Sequence, residues 1–92
     1  LGQARIDTAS GSVTVGGREI ALTALEYRLC LIFAQHRGQL LSRAQILDQL
    51  WDQGGNFVED NTLTVYVKRL REKLADAVTI ETVRGRGYRV DQ

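Results

Sequence analysis

The spacing of hydrophobic positions changes along the chain, and each change marks an element. Early on, Ile6, Val13, Val15, Ile20 and Leu22 are spaced by twos within short runs, with Ser10-Gly11 and Gly16-Gly17 between them. Such alternation sends successive side chains to opposite faces of a strand, and Gly-Gly between two such runs marks a tight hairpin. The pattern predicts three short antiparallel strands near 4–7, 12–15 and 18–22. Gly16-Gly17 is not followed by Lys-Ser/Thr and no helix opens on it, so it reads as a turn, not a phosphate loop.

The period then lengthens to that of a helix. Thr23 can accept from the backbone of Glu26 while the Glu26 carboxylate reaches back to Thr23, the reciprocal pattern of a capping box. Leu25, Leu29, Ile32 and Phe33 form a core face that Tyr27 and Leu31 broaden, and Gly38 ends the helix after His36 and Arg37. Ser42 and Gln45 repeat the capping pattern ahead of an apolar face made by Ile46, Leu47, Leu50 and Trp51. Gly54-Gly55-Asn56 ends that helix, and residues 52–59 are expected to form a loop.

A third helix, Asp60 to Leu74, reads DNTLTVYVKRLREKL. Leu63, Val67, Leu70 and Leu74 fall on one stripe at about 100° per residue, which is a core-facing stripe. Thr62, Val65, Tyr66 and Arg69 fall within an arc of about 100° elsewhere on the wheel. Lys68, Arg71 and Lys73 take the remaining surface. After Leu74, Val78, Ile80 and Thr82 alternate with polar residues and predict a return to strand. Val83 to Val90, with two glycines amid β-branched and aromatic residues, predicts a hairpin with Arg84 and Arg86 at or near its tip.

The third helix offers side chains of a chemistry suited to base edges. Arginine makes bidentate contacts to guanine, and Thr and Val methyls meet the thymine methyl. Lys68, Arg71 and Lys73 are placed to reach backbone phosphates. Taken alone, the same stretch also fits an ordinary amphipathic surface helix with a solvated basic face. The order of elements decides for the first reading. A small sheet, three helices and a basic hairpin make an α+β winged helix-turn-helix plan, with the third helix for the major groove and the hairpin for the minor groove.

Composition sharpens this in two places. Net charge is only +1, but residues 1–65 carry five Lys/Arg against seven Asp/Glu, while residues 66–90 carry seven against three. The basic charge therefore gathers on the third helix and the hairpin. The single Cys30 rules out an internal disulfide framework and fits a reducing cytoplasm, and one Cys with one His cannot complete a zinc site. Cys30 and His36, six apart on a helix, lie on different faces, so Cys30 reads as a small buried apolar residue and not as a nucleophile. Acidic residues are scattered along separate elements and give no paired-carboxylate signal. The chain is expected not to be an enzyme and to need no cofactor or metal. Ninety-two residues suit one small domain. No membrane-spanning apolar run or leader is present, and the absence of any Met predicts a fragment of a longer protein.

The motifs L-T-x-x-E-Y at Leu22–Tyr27, G-Q-L-L-S-R at Gly38–Arg43, L-W at Leu50–Trp51, V-K-R-L-R-E-K-L at Val67–Leu74 and I-E-T-V-R-G-R-G-Y-R at Ile80–Arg89 resemble the OmpR/PhoB family. These are the C-terminal effector domains of two-component response regulators, and the resemblance covers nearly the whole chain. It implies a winged-helix DNA-binding domain over 1–92, with a recognition helix at about 60–74 and a wing at about 83–88. It further implies a receiver domain, absent from this sequence, that links the protein to a sensor histidine kinase in a phosphorelay. By position, Asn61, Thr62, Val65, Tyr66 and Arg69 match base-reading residues. Trp51, Lys68, Arg71, Lys73, Thr82, Arg84, Gly85 and Tyr88 match positions at phosphates or the minor groove. The segment matching 52–59 contacts RNA polymerase in some members. Direct-repeat duplexes bound by two protomers, with the isolated domain monomeric, are the implied mode. Many relatives carry Arg where this chain has Asn61 and His or a similar residue where it has Tyr66, so no relative's operator transfers. An RNA-binding winged helix, or a module whose basic hairpin grips an acidic protein surface, are the alternatives.

Overall fold

Two capping boxes and one glycine pair set most of the architecture. The computed structural model describes residues 1–54 and 60–91, with the backbone alone at 51–54 and 60. Strands β1 (Ala4–Asp7), β2 (Ser12–Val15) and β3 (Arg18–Ile20) form an antiparallel sheet in the order β1-β2-β3. Gly16 and Gly17 both take positive φ, 59° and 80°, as the tight turn between twisted strands demands. The register opposes Ile6 to Val13 and Val13 to Ile20, so one row of β-branched side chains faces the helices. β3 stops at Ile20, short of the predicted 22. Continuing the register would set Leu22 opposite Gly11, where the chain already turns at φ 69°.

Helix α1 (Ala24–Gln35) carries the predicted box in full. Glu26 N–H donates to Thr23 Oγ1 at 3.2 Å, and Thr23 N–H donates to Glu26 Oε1 at 2.9 Å. Helix α2 (Arg43–Gly54) starts with the same reciprocal pair between Ser42 and Gln45, at 2.8 and 3.1 Å. It extends to Gly54, three residues past the expected end at Trp51, because nothing before the glycine pair breaks helical geometry. Of the expected 52–59 loop, 52–54 are thus helical, and 55–59 lie outside the described residues. Helix α3 (Asp60–Leu74) packs on α1 and α2. The core gathers Leu29, Ile32 and Phe33 of α1, Ile46 and Leu50 of α2, and Leu63, Val67, Leu70 and Leu74 of α3, each at most 2% exposed. Leu25, predicted in that face, is half-buried against it.

Beyond α3 the expectation needs correction. Val78 and Ile80, expected in a strand, are buried, but they pair with no strand among the described residues. α3 ends on Ala75 in the left-handed region (φ 47°), a 3-10 turn spans Ala75–Ala77, and strand β4 begins only at Glu81. The N-terminal segment covers this stretch, with Gln3 N–H bonded to Ala77 O at 2.8 Å. Alternation here reports burial, not a ladder.

Strands β4 (Glu81–Val83) and β5 (Gly87–Arg89) make the hairpin, with Arg84-Gly85-Arg86 at its tip and Thr82 opposite Tyr88. β5 is pinned to the α1–α2 connection by reciprocal bonds between Leu41 and Tyr88, both 2.9 Å, and by Gly38 N–H to Val90 O at 2.7 Å. Gly87 permits this approach: a Cβ there would lie 1.9 Å from Leu41 O, and its φ is 143°.

Glu26 is the buried charged residue of the described core, at 1% exposure, and Lys73 Nζ of α3 meets its Oε1 at 2.5 Å. Burial pushes the carboxyl pKa up, but the hydrogen bonds from Lys73 and the Thr23 backbone outweigh it, with the charge of Lys73 and the Thr23 hydroxyl assisting. The net position is below the ordinary value.

Two stability outcomes follow from these contacts. Gly87→Ala is expected to cost about 3 kcal/mol or more in denaturant unfolding, since backbone must move to admit a methyl group; a loss under about 1 kcal/mol would refute the close approach. Because the folded carboxyl of Glu26 is depressed, its stabilisation is present above the ordinary value of 4.5 and is lost as pH falls through the folded value. Glu26→Gln should therefore flatten the acid limb of a stability-versus-pH curve. Lys73→Ala should cost about 1–2 kcal/mol at neutral pH, discounted because Lys73 is partly solvated. An acid limb unchanged in Glu26→Gln would rule this linkage out.

Candidate nucleic-acid interface

α3 presents two faces of opposite character. Its stripe of Leu63, Val67, Leu70 and Leu74 is buried, which fixes the rotation of the helix about its axis. That rotation sends Asn61, Thr62, Val65, Tyr66 and Arg69 outward, where they line one shallow depression. All five residues expected to read bases are therefore together on one surface. Val65 is 45% exposed, a large apolar side chain open to a partner. The Arg69 guanidinium lies 5.7 Å from the centroid of the Tyr66 ring, a cation–π arrangement one turn apart. The contact holds the guanidinium beside the Tyr66 ring on the exposed face of the helix.

The expected phosphate cations divide. Lys68 is exposed beside the depression. Arg71 instead turns toward the hairpin, where its Nη2 donates to Ile80 O at 2.7 Å and to Thr82 Oγ1 at 2.9 Å. Lys73 is paired with Glu26. These two hold α3 to its neighbours, and Thr82 accepts one of the Arg71 bonds while keeping its hydroxyl proton to donate. At the wing, Arg84, Gly85 and Arg86 are exposed. Tyr88 is 6% exposed; its hydroxyl accepts from Arg43 Nη1 at 2.7 Å, which leaves the phenolic proton available to an acceptor outside. Trp51 lies outside the described side chains.

One residue escaped the sequence reading. Arg43, the first residue of α2, also donates from Nη2 to Thr64 Oγ1 at 2.7 Å, and its guanidinium sits 5.8 Å from the Tyr88 ring centroid. It lines a surface groove with Ser42, Thr82, Arg84, Arg86 and Tyr88. A signal was there to read: a cation in a first turn that holds no acidic residue opposes the helix dipole and calls for another reason to be present.

Elsewhere the surface offers little reactive chemistry. Cys30 is fully buried, and that burial pushes its thiol pKa up to about 11, far from a thiolate. Among the described residues no group of three His, Cys, Asp or Glu converges as metal ligands. No helix among them is long and apolar enough to cross a membrane.

Comparison with known proteins agrees with this geometry. Residues 17–90 match the family described as "Transcriptional regulatory protein, C terminal". The chain belongs to this family, the C-terminal effector domains of OmpR/PhoB-type response regulators. It is 39% identical to the phosphate regulon transcriptional regulatory protein PhoB of Pseudomonas aeruginosa over 92 residues, covering 97% of this chain and 39% of that protein. It is 40% identical to the response regulator protein PmrA of the same organism over 91 residues, covering 99% of this chain and 40% of that one. The chain thus spans about two fifths of the length of these relatives. The DNA-binding domain of Klebsiella pneumoniae RstA, solved in complex with the RstA box, superposes with a TM-score of 0.82 at 32% identity, covering 98% of this chain and 92% of that one. The DNA-binding domain of Bacillus subtilis CssR gives 0.82 at 34% identity, over 95% and 98% of the two chains. As in this family, the fold is a winged helix preceded by a small antiparallel sheet.

Arg71→Ala separates a structural from a DNA-contacting role. Loss of its bonds to Ile80 O and Thr82 should lower stability by about 1–2 kcal/mol. That corresponds to a melting temperature lower by several degrees in thermal unfolding. An unchanged melting temperature would mean that these bonds hold nothing.

Proposed function

We propose that this chain binds double-stranded DNA sequence-specifically, as the effector domain through which a response regulator controls transcription. The observation that carries the reading is the divided α3. One face is locked into the core, and the opposite face gathers Asn61, Thr62, Val65, Tyr66 and Arg69 beside the exposed arginines of the wing. α3 enters the major groove, Arg69 reads guanine, and the methyls of Thr62 and Val65 meet thymine. Arg84 reaches the adjacent minor groove, whose negative potential attracts the guanidinium. Lys68 and Arg86 neutralise phosphates, with Gly85, the Tyr88 hydroxyl and Trp51 adding backbone contacts. The RstA domain, crystallised with its DNA box at 32% identity, supports the mode.

The relatives' greater length supports a receiver domain ahead of this one, phosphorylated by a sensor histidine kinase. Two protomers on a direct repeat then bind as a pair, although the domain alone is a monomer. Contact with RNA polymerase through 52–59, and a cytoplasmic location, complete the reading. The chain carries no catalysis of its own.

Selection from a pool of random duplexes at about physiological salt tests this, because non-specific phosphate binding is suppressed there. Enrichment of one motif is expected; a folded protein that enriches none, or that prefers structured RNA or an acidic protein surface, would overturn the reading. On the selected duplex, Arg69→Ala should cost about 1–3 kcal/mol and relax the preference at one position. Lys68→Ala should weaken cognate and scrambled duplexes alike and reduce the salt slope by about one. Equal losses on both duplexes for Arg69→Ala would remove it from the base-reading set.

A further inference from the structure

From its contacts, we infer that Arg43 is a positioning residue that sets the spacing between the recognition helix and the wing, and acts on DNA through them. This rests on the DNA-binding reading above. The guanidinium stands at the junction of three elements. Its backbone belongs to the first turn of α2, Nη2 donates to Thr64 on α3, and Nη1 donates to Tyr88 on β5, each at 2.7 Å. The centroid of the Tyr88 ring lies 5.8 Å from the same group. Sequence separations of 21 and 45 residues show that neither bond is local.

The chemistry of the fork matters here. A planar guanidinium offers donors on two nitrogens in fixed relative directions, so it can bind two hydroxyls on two elements at once. An ammonium group carries the same charge but presents its donors from a single atom. The hydroxyls that Arg43 engages belong to a residue beside the base-reading face and to a residue opposite Thr82 in the wing. The hairpin itself has three-residue strands and an exposed tip, so its orientation depends on ties of this kind. With the fork lost, β5 keeps its backbone bonds to the α1–α2 connection and β4 keeps its tie to Arg71, but the β5 side of the wing loses its side-chain tie to α2 and α3, and Arg84 no longer arrives at its groove in register with α3.

The test is a double-mutant cycle between Arg43→Lys and Arg84→Ala. It is read as affinity for the duplex most enriched by the wild-type chain, with melting temperatures recorded alongside. If Arg43 acts by orienting the wing, Arg43→Lys weakens binding about tenfold although the charge is kept. The double variant is then no more than about twofold weaker than the worse single one, because the two changes remove the same contribution. If Arg43 instead holds a phosphate directly, lysine substitutes for it with little loss, and Arg43→Gln multiplies with Arg84→Ala. Either result overturns the inference. Binding lost only in proportion to a fall in melting temperature would also overturn it. Thr64→Val, which removes the α3 end of the tie at an exposed site, is expected to show the same failure to multiply with Arg84→Ala and carries the test if Arg43→Lys does not fold. A wild-type chain that selects no duplex would overturn the DNA reading and this inference with it. A selective wild type with multiplying variants would overturn the inference alone.

Discussion

The burial of Leu63, Val67, Leu70 and Leu74 fixes the rotation of α3, and every outward-facing residue on that helix inherits its direction from that burial. Side chains of this size contribute about 1.5–3 kcal/mol each when fully buried. Slipping the helix round by one position would lift the stripe from α1 and α2 and bring Arg71 and polar neighbours into the core. Nothing of comparable size acts on the outer face, where Val65 and Arg69 are exposed. The exposed positions of the outer face are thus open to change in chemistry at little cost to the fold, while Tyr66 also packs against the core.

Charge on the last third of the chain is not one population. Lys73 is committed to Glu26, Arg71 to Ile80 O and Thr82, and Arg89 to Glu81 and Asp91 at 3.3 and 2.9 Å. Lys68, Arg69, Arg84 and Arg86 are exposed. The first group does the work of assembly, and its charge is largely balanced where it sits. The second supplies the field that an anionic partner meets. A modest net charge is compatible with a strongly basic local surface because pairing cancels charge inside the fold and not at the interface.

The legible parts of the sequence were those whose partners lie within a few residues. Both capping boxes span three residues, the Gly16-Gly17 turn is contiguous, and the α3 stripe repeats every turn, so local pattern and structure agree at each. The shared surface of Asn61, Thr62, Val65, Tyr66 and Arg69 was legible for the same reason, since residues on one helix share a face by geometry alone. What was not legible depends on distance along the chain. The bond from Lys73 to Glu26 spans 47 residues and that from Arg43 to Tyr88 spans 45, and no local period encodes either. Glu26 was read as a cap, which it is, but its second partner on α3 could not be seen. Val78 and Ile80 alternate as strand residues do, yet the neighbouring Ala77 O bonds to Gln3 of the N-terminal segment and Ile80 O bonds to the Arg71 side chain. Period reveals which side is buried, and only the tertiary neighbours decide whether a ladder forms.

The wing illustrates how such distant contacts become necessary. A hairpin of three-residue strands has too little apolar surface to hold itself in water, and β4 exposes Glu81 and Thr82. Its inner strand is buried instead by backbone contact, through the Leu41–Tyr88 bridge that only glycine at 87 allows. That bridge and the Gly38–Val90 bond hold only one edge of the hairpin, so its tilt about that edge needs further ties. Two arginines act against rotation from opposite sides: Arg71 of α3 holds the end of β4 through Ile80 and Thr82, and Arg43 of α2 holds β5 through Tyr88. Both draw on hydroxyls and a carbonyl, because a thin surface element cannot be wedged in place by side-chain volume. The directional bonds of two guanidiniums therefore fix the angle between wing and helix, where packing alone would fix only their proximity.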